Sequence, residues 1–202
     1  MSKIIKDTVI LFVITLVAGF CLGAVHDITL EPIAAAQEAA ATATYQEVYP
    51  DAASFDTPQE MADAVAAASA EAASWGYGAV TVNDAKQALD ASGNPIGYLI
   101  TSTSSESYGG DVQIAVGITA EGTITGVGFL SISDTPGLGM KAQEPEFKDQ
   151  YAGKAAAAFE VVKTAPAADN QIQSISGATI TSAAVTNAVN AAVYFVQNCL
   201  SE

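Results

Sequence analysis

Residues 111–133 read DVQIAVGITAEGTITGVGFLSIS, and this stretch decides the fold. Two runs rich in Val and Ile flank Ala120-Glu121-Gly122, a trio suited to a tight reversal, so the segment reads as a β-hairpin. Upstream, AKQALD (85–90), ASGN (91–94) and PIGYLITSTS (95–104) repeat the pattern of strand, turn and strand, with the turn at Ser92-Gly93-Asn94-Pro95. The whole span from Ala85 to Ser133 therefore predicts an antiparallel meander.

Downstream, Asp134 to Met140 reads as a loop, Glu144 to Tyr151 as a short helix and Phe159 to Lys163 as a strand. From about Thr181 to Cys199, Val185, Ala188, Val189, Ala192, Val193 and Val196 recur at spacings of three and four. That stripe predicts a helix with one apolar face laid on the sheet. Upstream of the meander, Thr57-Pro58-Gln59-Glu60 resembles a capping box opening a helix to about Ala73, ended by Trp75-Gly76-Tyr77-Gly78. Leu30 to Val48 also has helical propensity, with Pro32 in its first turn.

Thr8 to Val25 carries no charge, and its 18 residues reach the length at which a membrane-spanning helix becomes the leading reading. Lys3 and Lys6 precede it, whereas His26, Asp27 and Glu31 follow it. The bias of basic residues puts residues 1–7 in the cytoplasm and the main domain outside the cell membrane. No A-x-A site follows the run, and Phe20 precedes Cys21 where a lipoprotein signal would carry a small residue, so an uncleaved single-pass anchor is expected. The fold class is α+β: one N-terminal transmembrane helix (8–25), juxtamembrane and domain-entry helices (26–84), and an extracytoplasmic domain (85–202) in which helices pack an antiparallel sheet.

Twenty-two acidic residues oppose seven lysines, with no arginine, for a net charge of -15. Such a surface repels nucleic acid, which excludes that class of partner. It also lacks the bidentate arginine clamp for a free phosphate. A nucleotide-like ligand must then be held by backbone N–H groups, hydroxyls, a lysine or a covalent bond. Cys21 and Cys199 lie near opposite ends of the chain, and His26 is the one histidine, so neither a cluster nor a zinc spacing is present. No G-x-G-x-x-G fingerprint occurs either.

Immediately before the last stripe stands Ser174-Ile175-Ser176-Gly177-Ala178-Thr179-Ile180-Thr181-Ser182. Hydroxyls and a glycine at a helix N-terminus suit a phosphate, because the unpaired N–H groups and the positive helix end favour negative charge. They suit an ordinary N-cap equally well.

SGATITS resembles the S/T-G-A-T-x-T flavinylation motif of the FMN-binding domain family, which occurs in the G subunit of Rnf complexes and the C subunit of sodium-pumping NADH:quinone reductases. Asp134-Thr135-Pro136-Gly137-Leu138-Gly139 and Glu144-Pro145-Glu146-Phe147 resemble the loop and segment that precede that motif in the Rnf G subunit. Tyr108-Gly109-Gly110 is similar to the family's glycine-rich turn, and Gln173 stands where the family usually has an aspartate.

The resemblance implies that Thr179 takes FMN as a phosphoester, installed by a flavin transferase, with Ser176, Gly177, Ala178 and Thr181 around it. It implies further that the 135–141 loop tunes the flavin. Gly137 and Gly139 would admit the ring to the backbone, Leu138 and Met140 would offer apolar contact, and Lys141 would neutralise the reduced ring. Thr135 and Tyr108 complete the expected cofactor-binding set. The implied role is an electron-relay subunit of a membrane-bound ion-translocating ferredoxin:NAD+ oxidoreductase, an enzyme whose active sites are not complete in this chain. Its partners would be the other Rnf subunits, membrane subunits included. The C subunit of a sodium-pumping quinone reductase, or a flavin-free extracytoplasmic interaction module, are the alternative readings.

Overall fold

In a computed structural model, which describes residues 2–200, the chain divides into two compact units, Met1–Thr42 and Ala43–Glu202. The first consists of a single helix. Helix α1 runs Ser2–Val48, so the two helices expected at 8–25 and 30–48 are one element. Pro32 therefore sits in a helix interior and not in a first turn, where it cannot supply the N–H for the Ile28 carbonyl. The alanine-rich sequence on either side carries the helix through it.

Large apolar side chains of this unit are exposed, Phe20 at 76%. The hydroxyls of Thr8 and Thr15 donate to the carbonyls of Ile4 (2.9 Å) and Leu11 (3.1 Å), one turn back. Polar groups satisfied within the helix are what a hydrocarbon environment demands. Among the described residues two helices are long and apolar enough to cross a membrane, and the second, the C-terminal helix, lies mostly buried in the other unit.

The second unit is built on a five-stranded antiparallel sheet in sequence order: β1 (Ser54–Asp56), β2 (Val80–Leu89), β3 (Pro95–Ser107), β4 (Gly110–Thr119) and β5 (Ile124–Ile132). The meander thus opens at Val80, five residues before the predicted start, and gains a short edge strand. Asn83 and Asp84 obscured the start of β2, because Val80 and Val82 are buried but a register shift between Val82 and Asp84 breaks the alternation. Helix α2 (Gln59–Glu71) covers β2 and turns through a 3-10 segment, Ala72–Trp75, that ends at Gly76. The expected capping box does not form. Pro58 occupies the cap position with no side-chain hydrogen bond, and the Thr57 hydroxyl instead accepts from Lys86 Nζ at 3.3 Å.

After β5 come a 3-10 turn (Gly139–Gln143), helix α3 (Pro145–Lys148), a parallel pair β6 (Glu160–Val162) and β7 (Gln171–Gln173), and helix α4 (Thr179–Cys199). One sheet face presents Ile100, Val116 and Val127 in register and packs against Val185, Val189 and Val193 of α4. Burial on α4 is wider than the predicted stripe. Ala191 and Phe195 are buried, and so are the polar residues Thr181, Ser182, Thr186 and Asn190.

Each buried polar group on α4 has a specific partner, as burial requires. Asn190 clamps the backbone of Phe159, accepting its N–H (2.8 Å) and donating to its carbonyl (2.9 Å). Tyr151 and Thr186 join hydroxyls at 2.7 Å, and Ser102 donates to the Ala188 carbonyl at 2.8 Å. Burial pushes the Tyr151 phenol above its ordinary range. Trp75 stacks on Tyr194 with ring centroids 4.6 Å apart, and Phe129 packs at the core margin, so both are structural aromatics.

The other sheet face receives the last turn of α1 in a groove of small residues. A side chain on Gly128 would collide with Val48 and Thr44, and one on Gly117 with Thr125. Thr125 donates to the Val48 carbonyl at 2.7 Å, Tyr49 donates to the Ile96 carbonyl at 2.7 Å, and Lys148 pairs with Glu47.

Candidate functional site

Three segments converge on the N-terminus of α4: the turn from β3 to β4, the loop after β5, and the turn Ile175–Ala178. They enclose an open cavity of about 530 Å³ lined by Tyr108, Asp134, Thr135, Leu138, Gly139 and the stretch from Gly177 to Thr181. That volume falls in the range of roughly 300–1,000 Å³ found for small-molecule and cofactor sites. Three large apolar side chains stand exposed at its rim, Tyr108 at 74%, Ile180 at 57% and Leu138 at 44%. An apolar cluster left in water beside a cavity marks a surface meant to be covered.

The floor is organised by Asp134. Its Oδ2 accepts from the Thr181 hydroxyl (2.6 Å) and the Ser107 hydroxyl (2.8 Å), while Oδ1 accepts the Thr135 N–H (2.6 Å). Burial works to raise its pKa. Hydrogen bonds from Thr181, the Thr135 N–H, Ser107 and the Gly109 N–H outweigh that effect and hold the carboxyl below its ordinary value. Gly139 arches directly over this group, and a Cβ there would run into the Asp134 carboxylate.

The opening of α4 has no side-chain cap, although hydroxyls surround it. Ala178 occupies the N-cap position with no side-chain hydrogen bond. Thr181 is committed to Asp134, and Ser182 donates back to the Ala178 carbonyl (3.0 Å) while accepting the Ile175 N–H (3.0 Å). The reading of this hydroxyl cluster as an ordinary helix cap is therefore overturned: its buried hydroxyls are turned to other partners. Thr179 is exposed and lines the cavity, and among the described residues its hydroxyl makes no hydrogen bond. Gly177 makes the reversal before the helix with φ +81°, a conformation that residues with a Cβ rarely adopt.

Of the residues singled out in the sequence, Tyr108, Thr135, Leu138, Gly139, Gly177, Ala178, Thr179 and Thr181 share this cavity. Lys141 and Ser176 do not line it. They border a neighbouring depression of about 370 Å³ with Glu144, Glu146 and Gln173. Gly137 belongs to the same loop, at φ +76°, but is not part of the lining. Two lining residues were missed as site residues. Ile180 is apolar yet falls off the Val185–Val196 stripe, a mismatch that flags an apolar residue serving something other than the core. In the sequence Asp134 reads only as the first letter of a loop, since the sequence does not reveal which hydroxyls meet it.

The residues fit FMN in three respects. The rim supplies apolar cover for a flat ring, the uncapped helix end supplies N–H groups and a positive potential for a phosphate, and an exposed hydroxyl stands at that end. No cationic side chain lines the cavity, and Asp134 adds a negative one. A free phosphate monoester would therefore lack a counter-charge, whereas a diester carries one negative charge fewer.

Residues 107–194 match the FMN-binding domain family, a span that includes every residue lining the cavity. Fold and site together define this class of domain. The chain is 35% identical to the G subunit of the "Na(+)-translocating ferredoxin:NAD(+) oxidoreductase complex" of Acetobacterium woodii, over 96% of this chain and 92% of that protein. The G subunit of the "Proton-translocating ferredoxin:NAD(+) oxidoreductase complex" of Clostridium ljungdahlii is 39% identical, over 50% of this chain and 54% of that one. The G subunit of the "Ion-translocating oxidoreductase complex" of Methanosarcina acetivorans is 37% identical, over 54% and 55% respectively. The chain thus spans about half the length of these last two relatives. Among solved structures, the C subunit of a Na(+)-translocating NADH-quinone reductase from Parabacteroides distasonis aligns with a TM-score of 0.49 at 24% identity, covering 58% of this chain and 62% of that one. The chain belongs to the family of G subunits of ion-translocating ferredoxin:NAD(+) oxidoreductase complexes.

Proposed function

We propose that this chain is the electron-relay subunit of a membrane-bound ion-translocating ferredoxin:NAD+ oxidoreductase, carrying one FMN esterified through its phosphate to Thr179. The observation that carries the reading is the uncapped start of α4, where the exposed Thr179 hydroxyl opens into an apolar-rimmed cavity.

When bound, FMN supplies one- and two-electron chemistry that the side chains here do not. The chain's own residues do the rest. Thr179 tethers, which keeps the cofactor at high effective concentration without any cation in the lining. Tyr108, Leu138 and Ile180 shield the ring from water. The uncapped N–H groups of α4 hold the phosphate, and Asp134 and Gly139 fix the loop that carries Leu138.

The apolar helix α1 holds the chain in the membrane, and the bias of basic residues before it supports an orientation with residues 1–7 in the cytoplasm and the domain outside. Maturation then requires a flavin transferase acting on Thr179. The domain bounds at 85–202 are narrower than the compact unit from Ala43, and the functional domain is taken to include β1, α2 and all of β2. The other subunits of the complex, those in the membrane included, are the electron donors and acceptors.

The test is to produce the full chain together with a flavin transferase, denature it, and record the flavin absorbance bands and the intact mass. The expected result is one FMN per chain, located by peptide mapping on Thr179. A protein with the unmodified mass would leave the flavin-free interaction module as the better reading.

A further inference from the structure

Thr179 and Thr181 are chemically identical hydroxyls in the first turn of one helix, and nothing in their side chains distinguishes them. Their surroundings do. At 3.6 residues per turn, positions two apart point to nearly opposite sides of a helix. Thr181 is 1% exposed with its hydroxyl committed to Asp134 at 2.6 Å, and Thr179 faces the open cavity.

We infer that Asp134 is the positioning residue that selects the attachment site: it ties down the Thr181 hydroxyl and so presents Thr179 alone to the flavin donor. This rests on the Thr179–FMN reading above. One carboxylate joins three separate segments, through Thr181 of α4, Ser107 at the end of β3 and the Thr135 N–H of the following loop. Rotation of the first turn that would bring Thr181 outward breaks the 2.6 Å contact and takes a charge-assisted hydrogen bond from a buried carboxylate, which is costly. Gly139 arches over the carboxylate so closely that a Cβ there would run into it, which bounds the carboxylate on that side.

The step being directed is a phosphoryl transfer. The donor must carry an activated phosphate, so its class is a flavin dinucleotide with a phosphoanhydride. A bond forms between Thr179 Oγ1 and the flavin-side phosphorus as the anhydride P–O bond breaks. A nucleoside monophosphate leaves with the bridging oxygen, and the hydroxyl proton passes to the transferase or to that leaving group. No electrons are exchanged. A hydroxyl that is 1% exposed, with its oxygen turned inward and out of reach of a donor in the cavity, is a poor acceptor for this transfer.

The experiment maps the flavin-bearing peptide in the full chain made with the transferase, for the native protein and for Asp134→Asn, Thr181→Val and Thr181→Ser. The native protein and Thr181→Ser should be filled at Thr179 to the same extent. Asp134→Asn should show several-fold lower occupancy of Thr179 with part of the flavin moved to Thr181, and Thr181→Val should show the lowered Thr179 occupancy with no second site. If Asp134→Asn does not fold, the contrast between Thr181→Val and Thr181→Ser decides. Native-like filling of Thr179 in both Asp134→Asn and Thr181→Val would overturn the inference, as would equal losses in Thr181→Val and Thr181→Ser. A native protein without covalent flavin would instead remove the Thr179 reading itself, and this inference with it.

Discussion

Gly177 and Leu138 face each other so closely that a Cβ on Gly177 would stand 3.3 Å from Leu138 Cδ2. The slot between the pre-helix turn and the loop after β5 is therefore as wide as the absence of one side chain makes it.

Gly177→Ala places a Cβ both at positive φ and against Leu138. The backbone strain alone is roughly 1–2 kcal/mol. A lower melting temperature is expected, together with reduced covalent flavin per chain in denatured samples. Unchanged flavin content would show that Leu138 yields freely.

Thr179→Ala should remove covalent flavin entirely while changing stability by no more than about 0.5 kcal/mol, as for an exposed side chain without partners. Flavin absorbance after denaturation and a thermal melt read the two effects separately. A flavin that persists would have to be linked elsewhere.

Leu138→Ala uncovers the ring to water, which favours its charged reduced form, so the flavin potential should rise without release of the flavin. Lys141 borders the neighbouring depression, and Lys141→Gln should move the potential less than Leu138→Ala. Spectroelectrochemical titration of both variants would show whether that order holds.

Asp134 has a folded-state pKa below its unfolded value, so its stabilising contribution is present at neutral pH. It is lost as pH falls below about 4 towards the folded value. The difference in melting temperature between the native protein and Asp134→Asn should be constant near pH ~6–7 and shrink in acid. A difference that grows in acid would contradict the sign.

Most of the scaffold was legible in the sequence because its signals are local. The hairpin turns, the Val185–Val193 stripe and the apolar run from Thr8 each rest on a few neighbouring residues. The misses came where a distant partner decides. Val80 and Val82 lie on the core face, but the register shift before Asp84 hid the start of β2. Thr57 has the sequence of a cap, but its hydroxyl meets Lys86 on β2.

The candidate site shows the same division. SGATIT and TPGLG were visible as motifs, and they do meet in one cavity. That Thr181 turns inward to Asp134, 47 positions away in the chain, follows from the packing of α4 on the sheet. No spacing in the sequence encodes it.

Gly128→Val should be among the more damaging changes far from the cavity, costing about 1–3 kcal/mol by overpacking Val48 and Thr44. Thermal unfolding of the purified chain would measure it.

The same groove determines where the polypeptide can be cut. A fragment starting at Ala43 keeps Thr44, Tyr45 and Val48 as a plug for the glycine-lined seat on β4 and β5. One starting at Ala85 would lose β1, α2 and half of β2, and would leave that seat as bare backbone open to solvent. The last six residues of the long helix, 43–48, are thus a fitted part of the globular unit, and a soluble version of this chain must carry them along.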